Sequence, residues 1–339
     1  MRLGARQGDA REGERGSALI IVLGLVALIS TWAVSAAYDD NLALRRAENS
    51  LDFVRAKQAS QSALLLSVKA LRADARDSQS DDLDELWAQE GGGFPVDQGM
   101  VAATIVDANR FINLNGLVDA QGKVVAAVEQ QVKALFVRRE LDPTLVDALI
   151  DWMDADDQRH GSGGAESGAY YGKNYRIKNA RLDRWNELLL VRGFNQKILD
   201  RLLPVATVAP MPATGIAAVN INTAPADVLM ALAPNMQTSD AEALMAARPF
   251  ENVAQALLNQ PWGKGLNTAY LSVQSRLFWV LTEADFGRVS LREQFLLQRE
   301  QGKITLLTAQ RAEWHGLGLT QQAAATNNKP SQQRGGTVR

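Results

Sequence analysis

From Ser17 to Tyr38 the chain reads SALIIVLGLVALISTWAVSAAY, 22 residues without a charged side chain. At 1.5 Å per residue this makes about 33 Å of helix, enough to cross a bilayer. Arg2, Arg6, Arg11 and Arg15 precede the run and Asp39 and Asp40 follow it, a charge order that keeps the N-terminus in the cytosol; Arg45 and Arg46 weaken the signal. Beyond Tyr38 no turn intervenes. Apolar residues continue at three- and four-residue spacing, with Leu44, Ala47, Leu51 and Val54, then Leu64, Val68 and Leu71, so the pattern predicts one helix from Ser17 to about Ala75. A cleavable signal peptide is the competing reading, with Ala33 to Ala37 as its small-residue cleavage site. The long apolar run and the uninterrupted helix beyond it favour a retained anchor.

Between Asp77 and Gly99 the chain turns polar, with a short helix expected near Leu83 to Ala88 and a connection at Gly91-Gly92-Gly93-Phe94-Pro95. Val101–Val106 and Arg110–Leu114 read as short strands. From about Lys123 to the 260s the pattern is helical, and β character returns in 271–281, Val289–Leu297 and Ile304–Thr308. Strands, helices and strands again predict an α+β fold with a large all-α insertion. Gly316 to Arg339 is rich in Gln, Asn, Thr, Gly and Ala, a composition that predicts a disordered tail.

Composition narrows the function. Lys and Arg number 36 against 38 acidic residues, so no global field draws nucleic acid or anionic lipid. There is no cysteine, hence no disulfide framework, thiolate metal site or cysteine nucleophile. His160 and His315 are the only histidines, and no nucleophile elbow, phosphate-binding Gly-Lys loop or dinucleotide fingerprint occurs. His160 is expected to be a solvated loop residue, and a non-enzymatic role is expected.

One stretch is electrostatically odd. Asp142-Pro143 opens a helix as N-cap and first residue, but Asp151, Asp154, Asp156 and Asp157 crowd its far end, where the macrodipole already disfavours acids. Three glycines, Gly161, Gly163 and Gly164, then lead to Glu166, which could fold back as another hard oxygen ligand; four or five such ligands suit calcium. It is not an EF-hand, because Arg159 and Ala165 stand where that loop needs glycine and glutamate. From these residues alone, a solvated acidic helix end and a metal site are both open.

Two further stretches, Arg181 to Leu203 with Gly193 between its halves, and Val219 to Leu232 followed by Asp240 to Ala247, resemble helix-hairpin-helix pairs. The second opens Asn220-Ile-Asn-Thr-Ala224, like the DNA-uptake version. Phosphate binding by that fold uses a glycine-rich hairpin beside basic residues; here the second hairpin is Ala233-Pro-Asn-Met-Gln237, without glycine, lysine or arginine. A packing or protein-interaction role is the stronger reading, and a membrane-tethered DNA-binding protein is the alternative.

A basic leader ending in Gly16, followed by an apolar helix continuous with an amphipathic one, resembles a type IV pilin-like precursor. The resemblance implies a prepilin peptidase cut between Gly16 and Ser17 and methylation of the mature protein. Most members carry glutamate at the fifth mature position, here Ile21, and its absence resembles the K-type minor pseudopilin of type II secretion. Asn113-Leu-Asn-Gly-Leu-Val118, Asp151-Trp-Met-Asp154, Gly164-Ala-Glu166 and Tyr170 are similar to that family in the same order. The implied plan is a cytosolic leader (1–16), a transmembrane helix (17–38), a periplasmic helix with first strands of a pilin-like body (39–122), an inserted helical domain (123–265), remaining strands (266–315) and the tail (316–339). The implied function is a non-catalytic tip subunit in the inner membrane that joins I- and J-type, then H-type, minor pseudopilins on the inner-membrane secretion platform, without nucleic acid. By analogy, calcium is bound by Asp154, Asp156 and Glu166, with Asp151 and Asp157 next.

Overall fold

The computed structural model describes residues 10–89 and 93–311. The first nine residues of the expected leader and the expected tail lie outside them. Helix α1 (Ala10–Asp77) is continuous for 68 residues, about 100 Å, as the unbroken apolar-to-amphipathic pattern requires. Gly16 and Ser17 fall within it. Its apolar stretch is bare: Leu19, Ile20, Leu28 and Trp32 are exposed among many others, which an aqueous surface does not tolerate and a bilayer does. Farther along, Ala56, Ser60, Ala63, Ser67 and Leu71 are buried at helical spacing, so this part of α1 lies on the protein body.

That body is a five-stranded antiparallel sheet in the order β1-β2-β7-β8-β9, formed by β1 (Phe94–Val96), β2 (Gly99–Asp107), β7 (Leu277–Phe286), β8 (Val289–Glu300) and β9 (Lys303–Arg311). Between β2 and β7 lie β3 (Ile112–Asn113), β4 (Ala206–Thr207), β5 (Val219–Asn220) and β6 (Leu271–Ser272), two residues each, with β3 beside β4 and β5 beside β6 in parallel pairs. The helices of the same segment are α2 (Ala126–Arg138), α3 (Leu145–Met153), α4 (Gln196–Leu202), α5 (Ala226–Leu232), α6 (Thr238–Ala246) and α7 (Val253–Leu257).

The register places the insertion. β2 and β7 are hydrogen-bonded neighbours from Gly99↔Phe286 to Asp107↔Phe278, so the chain leaves and re-enters the sheet at the Asp107–Phe278 end. On α1, Ala56, Ala59 and Ala63 pack with Ala284, Phe286 and Leu291. Leu64, Val68 and Leu71, farther along, pack with Phe278, Val280, Phe295 and Leu297. The exit therefore lies toward the C-terminal end of α1, away from its apolar half. Most of what is inserted there shares one core, from Ile112 to Tyr270, with Trp152, Phe136, Leu149 and Ile150 fully buried in it, while Ala108, Phe111 and Ala209 pack with Trp279 and Leu296 of the sheet.

Tertiary contacts override several local expectations. Leu83–Ala88 forms turns, not a helix: Glu85 Oε2 accepts from Asp82 N–H and from Trp87 Nε1–H, and the Trp87 ring packs edge-on against Phe278 at 5.3 Å. The expected strand Arg110–Leu114 shrinks to Ile112–Asn113, with Arg110 closing a 3-10 turn whose cap is Asp107. The late strand expected over 271–281 is broken, because Leu271–Ser272 pairs with Val219–Asn220 before the chain enters β7. The first expected helical pair consists of a 3-10 helix, Trp185–Leu190, and α4. The second is α5 followed by α6.

Candidate functional site

The acidic stretch folds as a hairpin of helix and loop. Regular helix α3 begins at Leu145, three residues after the expected cap, since the first turn is held by 3-10 bonds; Asp142 Oδ1 still accepts from Thr144 N–H at 2.9 Å. Asp147 and Asp151, one turn apart and both buried, receive the returning loop. Asp147 Oδ2 accepts from Gly163 N–H at 3.0 Å, and the two Asp151 oxygens accept from His160 N–H at 2.8 Å and Ala165 N–H at 2.5 Å. This close return explains Gly164: a Cβ there would sit 2.5 Å from both Asp151 Oδ2 and His160 O.

The loop brings Glu166 to the end of α3. Single carboxylate oxygens of Asp151, Asp154 and Glu166 lie within 4.8 Å of one another, and all three residues are buried. Both Glu166 oxygens and Asp154 Oδ1 are buried without a hydrogen-bond partner among the described residues. Burial, then the charges of Asp151, Asp156 and Glu166, push the Asp154 carboxyl up to about 7. Glu166 is raised by burial and by Asp151, Asp157 and Asp156, and Asp151 by burial, against its two backbone hydrogen bonds. Unpartnered buried carboxylates are costly unless a cation joins them, and an all-oxygen set fits a hard cation such as calcium. Asp156 and Asp157 are exposed at the rim, with Asp156 Oδ1 accepting from Gln158 N–H at 2.8 Å. Asp151 thus stands nearer the centre than its sequence ranking and Asp156 farther out.

Beside it lies a second acidic group, which the sequence did not suggest. Glu129, Asp147 and His160 converge, but Lys133 Nζ already bridges Glu129 and Asp147 at 2.7 Å each. His160 is no solvated loop residue: its Nε2 is 2.9 Å from Glu129 Oε1. The i, i+4 spacing of Glu129 and Lys133 was the available signal. The wall of the hairpin is aromatic, with Trp152 edge-on to Tyr170 at 5.4 Å and donating through Nε1 to Glu187 at 2.9 Å.

The Asn220-Ile-Asn-Thr-Ala224 turn works as a staple between the insertion and the sheet. Asn220 Nδ2 faces Asp81 O, Asp107 Oδ2 and Ser275 Oγ at 2.9, 3.2 and 2.8 Å. Thr223 Oγ1 donates to Asp107 Oδ2 at 2.5 Å. Asn222 closes two bonds with the Phe250 backbone at 2.9 Å. Arg299 pairs with Asp81 and, at 2.8 Å, with Asp74 on α1. The motif's polar side chains are therefore spent on internal partners.

The type II secretion system (T2SS), protein K family matches this chain over residues 110–211 and 219–274. The chain is 30% identical to the type II secretion system protein K of Pectobacterium carotovorum over 322 residues, covering 88% of this chain and 97% of that protein. The chain belongs to the type II secretion protein K family. Its likeness to the Klebsiella pneumoniae and Pseudomonas aeruginosa members is also 30%, over 85% and 88% of this chain and 93% and 92% of theirs. The fold is similar to a chain of the GspK-GspI-GspJ complex from enterotoxigenic Escherichia coli, with a TM-score of 0.69, 26% identity and coverage of 79% of this chain and 99% of that one. Protein K is a minor pseudopilin, a structural component of the secretion system. These matches give no support to the DNA-uptake alternative.

Proposed function

We propose that this chain is the tip subunit of the type II secretion pseudopilus. It starts assembly by joining the I- and J-type minor pseudopilins, with the H-type below them, and assists export of folded proteins across the outer membrane without catalysing a reaction. Before assembly it is a single-pass inner-membrane protein with its bulk in the periplasm, cut by prepilin peptidase between Gly16 and Ser17, methylated, and held by the secretion platform. The observation that carries this reading is the position of the insertion. It leaves the sheet between β2 and β7 at the end farthest from the apolar half of α1, where its bulk would block another subunit from stacking above. The Escherichia coli neighbour, a chain of the GspK-GspI-GspJ complex, supports the choice of partners.

In this reading calcium is structural. Asp154 and Glu166 supply the free oxygens, Asp151 positions the loop and adds charge, and Asp156 and Asp157 stand at the rim. The cation would close the helix-loop hairpin on which the insertion's core rests.

The test is co-expression of the full chain with I- and J-type pseudopilins, followed by affinity purification from detergent-solubilised membranes. Recovery of all three in equal amounts is expected. Recovery of this chain alone, together with salt-sensitive retention of double-stranded DNA in a gel shift, would overturn the reading in favour of the DNA-binding alternative.

A further inference from the structure

A cleft of about 460 Å³ opens where the insertion meets the sheet, a size in the range of ligand-binding clefts. Its floor includes Leu277, Gln298 and Leu307 of β7, β8 and β9. Leu277 and Gln298 are cross-strand partners and alternate with Phe278 and Leu297, which pack on α1. The cleft therefore lies on the face of the sheet turned away from that helix. One wall is the irregular stretch 210–218, between β4 and β5.

Met211 and Ala217, on that wall, use neither N–H nor C=O in a hydrogen bond among the described residues. Pro210 and Pro212 flank Met211 and lack an N–H, so the stretch does not close into a regular ladder, and its free groups stay open to an added strand. Arg276 is the one charged residue among those lining the cleft, and none of them is acidic. It is exposed, and Asn109 Oδ1 accepts from its backbone N–H at 2.9 Å. Its guanidinium makes no hydrogen bond or ion pair among the described residues. Apolar walls, open main-chain groups and one positive charge without a counter-charge together complement an extended peptide with apolar side chains and one carboxylate. A compact anion would leave the apolar lining uncovered, and a nucleic acid would meet a single cation.

We propose that this cleft binds an extended segment of a partner protein, apolar with one acidic side chain, whose carboxylate pairs with Arg276 and whose backbone lies along 210–218. The bound segment touches insertion and sheet at once. Because the cleft faces away from α1, such a partner does not compete with a helix packed along α1. The proposal does not depend on the position of the chain in a pseudopilus.

The experiment is selection from a phage-displayed library of random hexapeptides on the full chain in detergent at fixed calcium. Fluorescence anisotropy then follows binding of the selected peptide, made synthetically. The parent should enrich peptides with Asp or Glu at one fixed position among apolar residues. R276Q changes an exposed side chain that holds no partner, so it should melt like the parent. It should bind the selected peptide about fivefold more weakly, the size of a solvent-accessible ion pair. A peptide with its acid replaced by the amide should lose the same factor on the parent and nothing further on R276Q. R276E should shift the selection to Lys or Arg at that position. T214W, which adds an indole to the lining at an exposed turn residue, should block binding. No enrichment by the parent, enriched peptides without a shared acid, or equal binding to parent, R276Q and T214W would each overturn the site.

Discussion

Ala165 N–H donates to Asp151 Oδ2 at 2.5 Å, and this bond delivers Glu166, the next residue, to the end of α3 beside Asp154. Two residues with unpartnered buried oxygens are thus brought together by a third whose two oxygens each accept a backbone hydrogen bond. Chelation should lower the Tm of the full chain in detergent and added calcium should restore it. In D154N or E166Q the calcium-dependent rise should shrink, while melting in chelator stays at or above that of the parent, because repulsion within the cluster is relieved. Superimposable parent melts in chelator and calcium contradict a structural cation.

The staple between insertion and sheet should be measurable by itself. N220A leaves Asp81 O, Asp107 Oδ2 and Ser275 Oγ short of a donor, all buried, and should cost about 2–3 kcal/mol. Urea unfolding reads this as a lower midpoint at unchanged slope. T223V, which removes one donor to Asp107 and keeps the side chain's volume, should cost less, about 1–2 kcal/mol.

Much of this was legible in the sequence, and the misses share a physical cause. The unbroken apolar-to-amphipathic run foretold α1, since a helix needs only local periodicity. The acidic crowding at Asp151 and Asp154 foretold a cluster, because charge at a helix C-terminus calls for compensation. Which carboxylates converge was not legible: Asp156 is closer in sequence to Asp154 than Glu166 is, yet backbone donors from Gly163 and Ala165 bring Glu166 inward and leave Asp156 capping Gln158. The Leu83–Ala88 turn and the short strands at Ile112 and Leu271 depend on partners far along the chain, Phe278, Ala206 and Val219. Lys133 as the cation between Glu129 and Asp147 is a tertiary fact of the same kind.

The Asp74 carboxyl is pushed up to about 7 by burial and by the charges of Glu85 and Asp81, which outweigh its bond to Arg299. An acid whose folded pKa exceeds its unfolded value binds more protons when folded, so its contribution to stability falls as pH rises between about 4 and 7. D74N, which resembles the protonated form, should therefore gain stability relative to the parent across that window. Urea midpoints of both chains at pH 4.5 to 8, at fixed calcium, provide the check; a constant difference across the window contradicts the assignment.

Processing is tested at the N-terminus. Intact mass of the chain from cells with prepilin peptidase should correspond to a methylated start at Ser17, and from cells lacking it to a start at Met1. G16L should retain the leader in both. A start within Ala33–Ala37 would instead indicate removal of the apolar segment as a signal peptide.

The most direct test of the tip assignment is where the chain sits in the fibre. An epitope inserted at Thr214–Gly215, an exposed turn of the insertion, can be labelled with antibody-gold on pseudopili sheared from cells that overproduce the major subunit. The account predicts gold at one end of each fibre and none along its length; gold distributed along the length would contradict it.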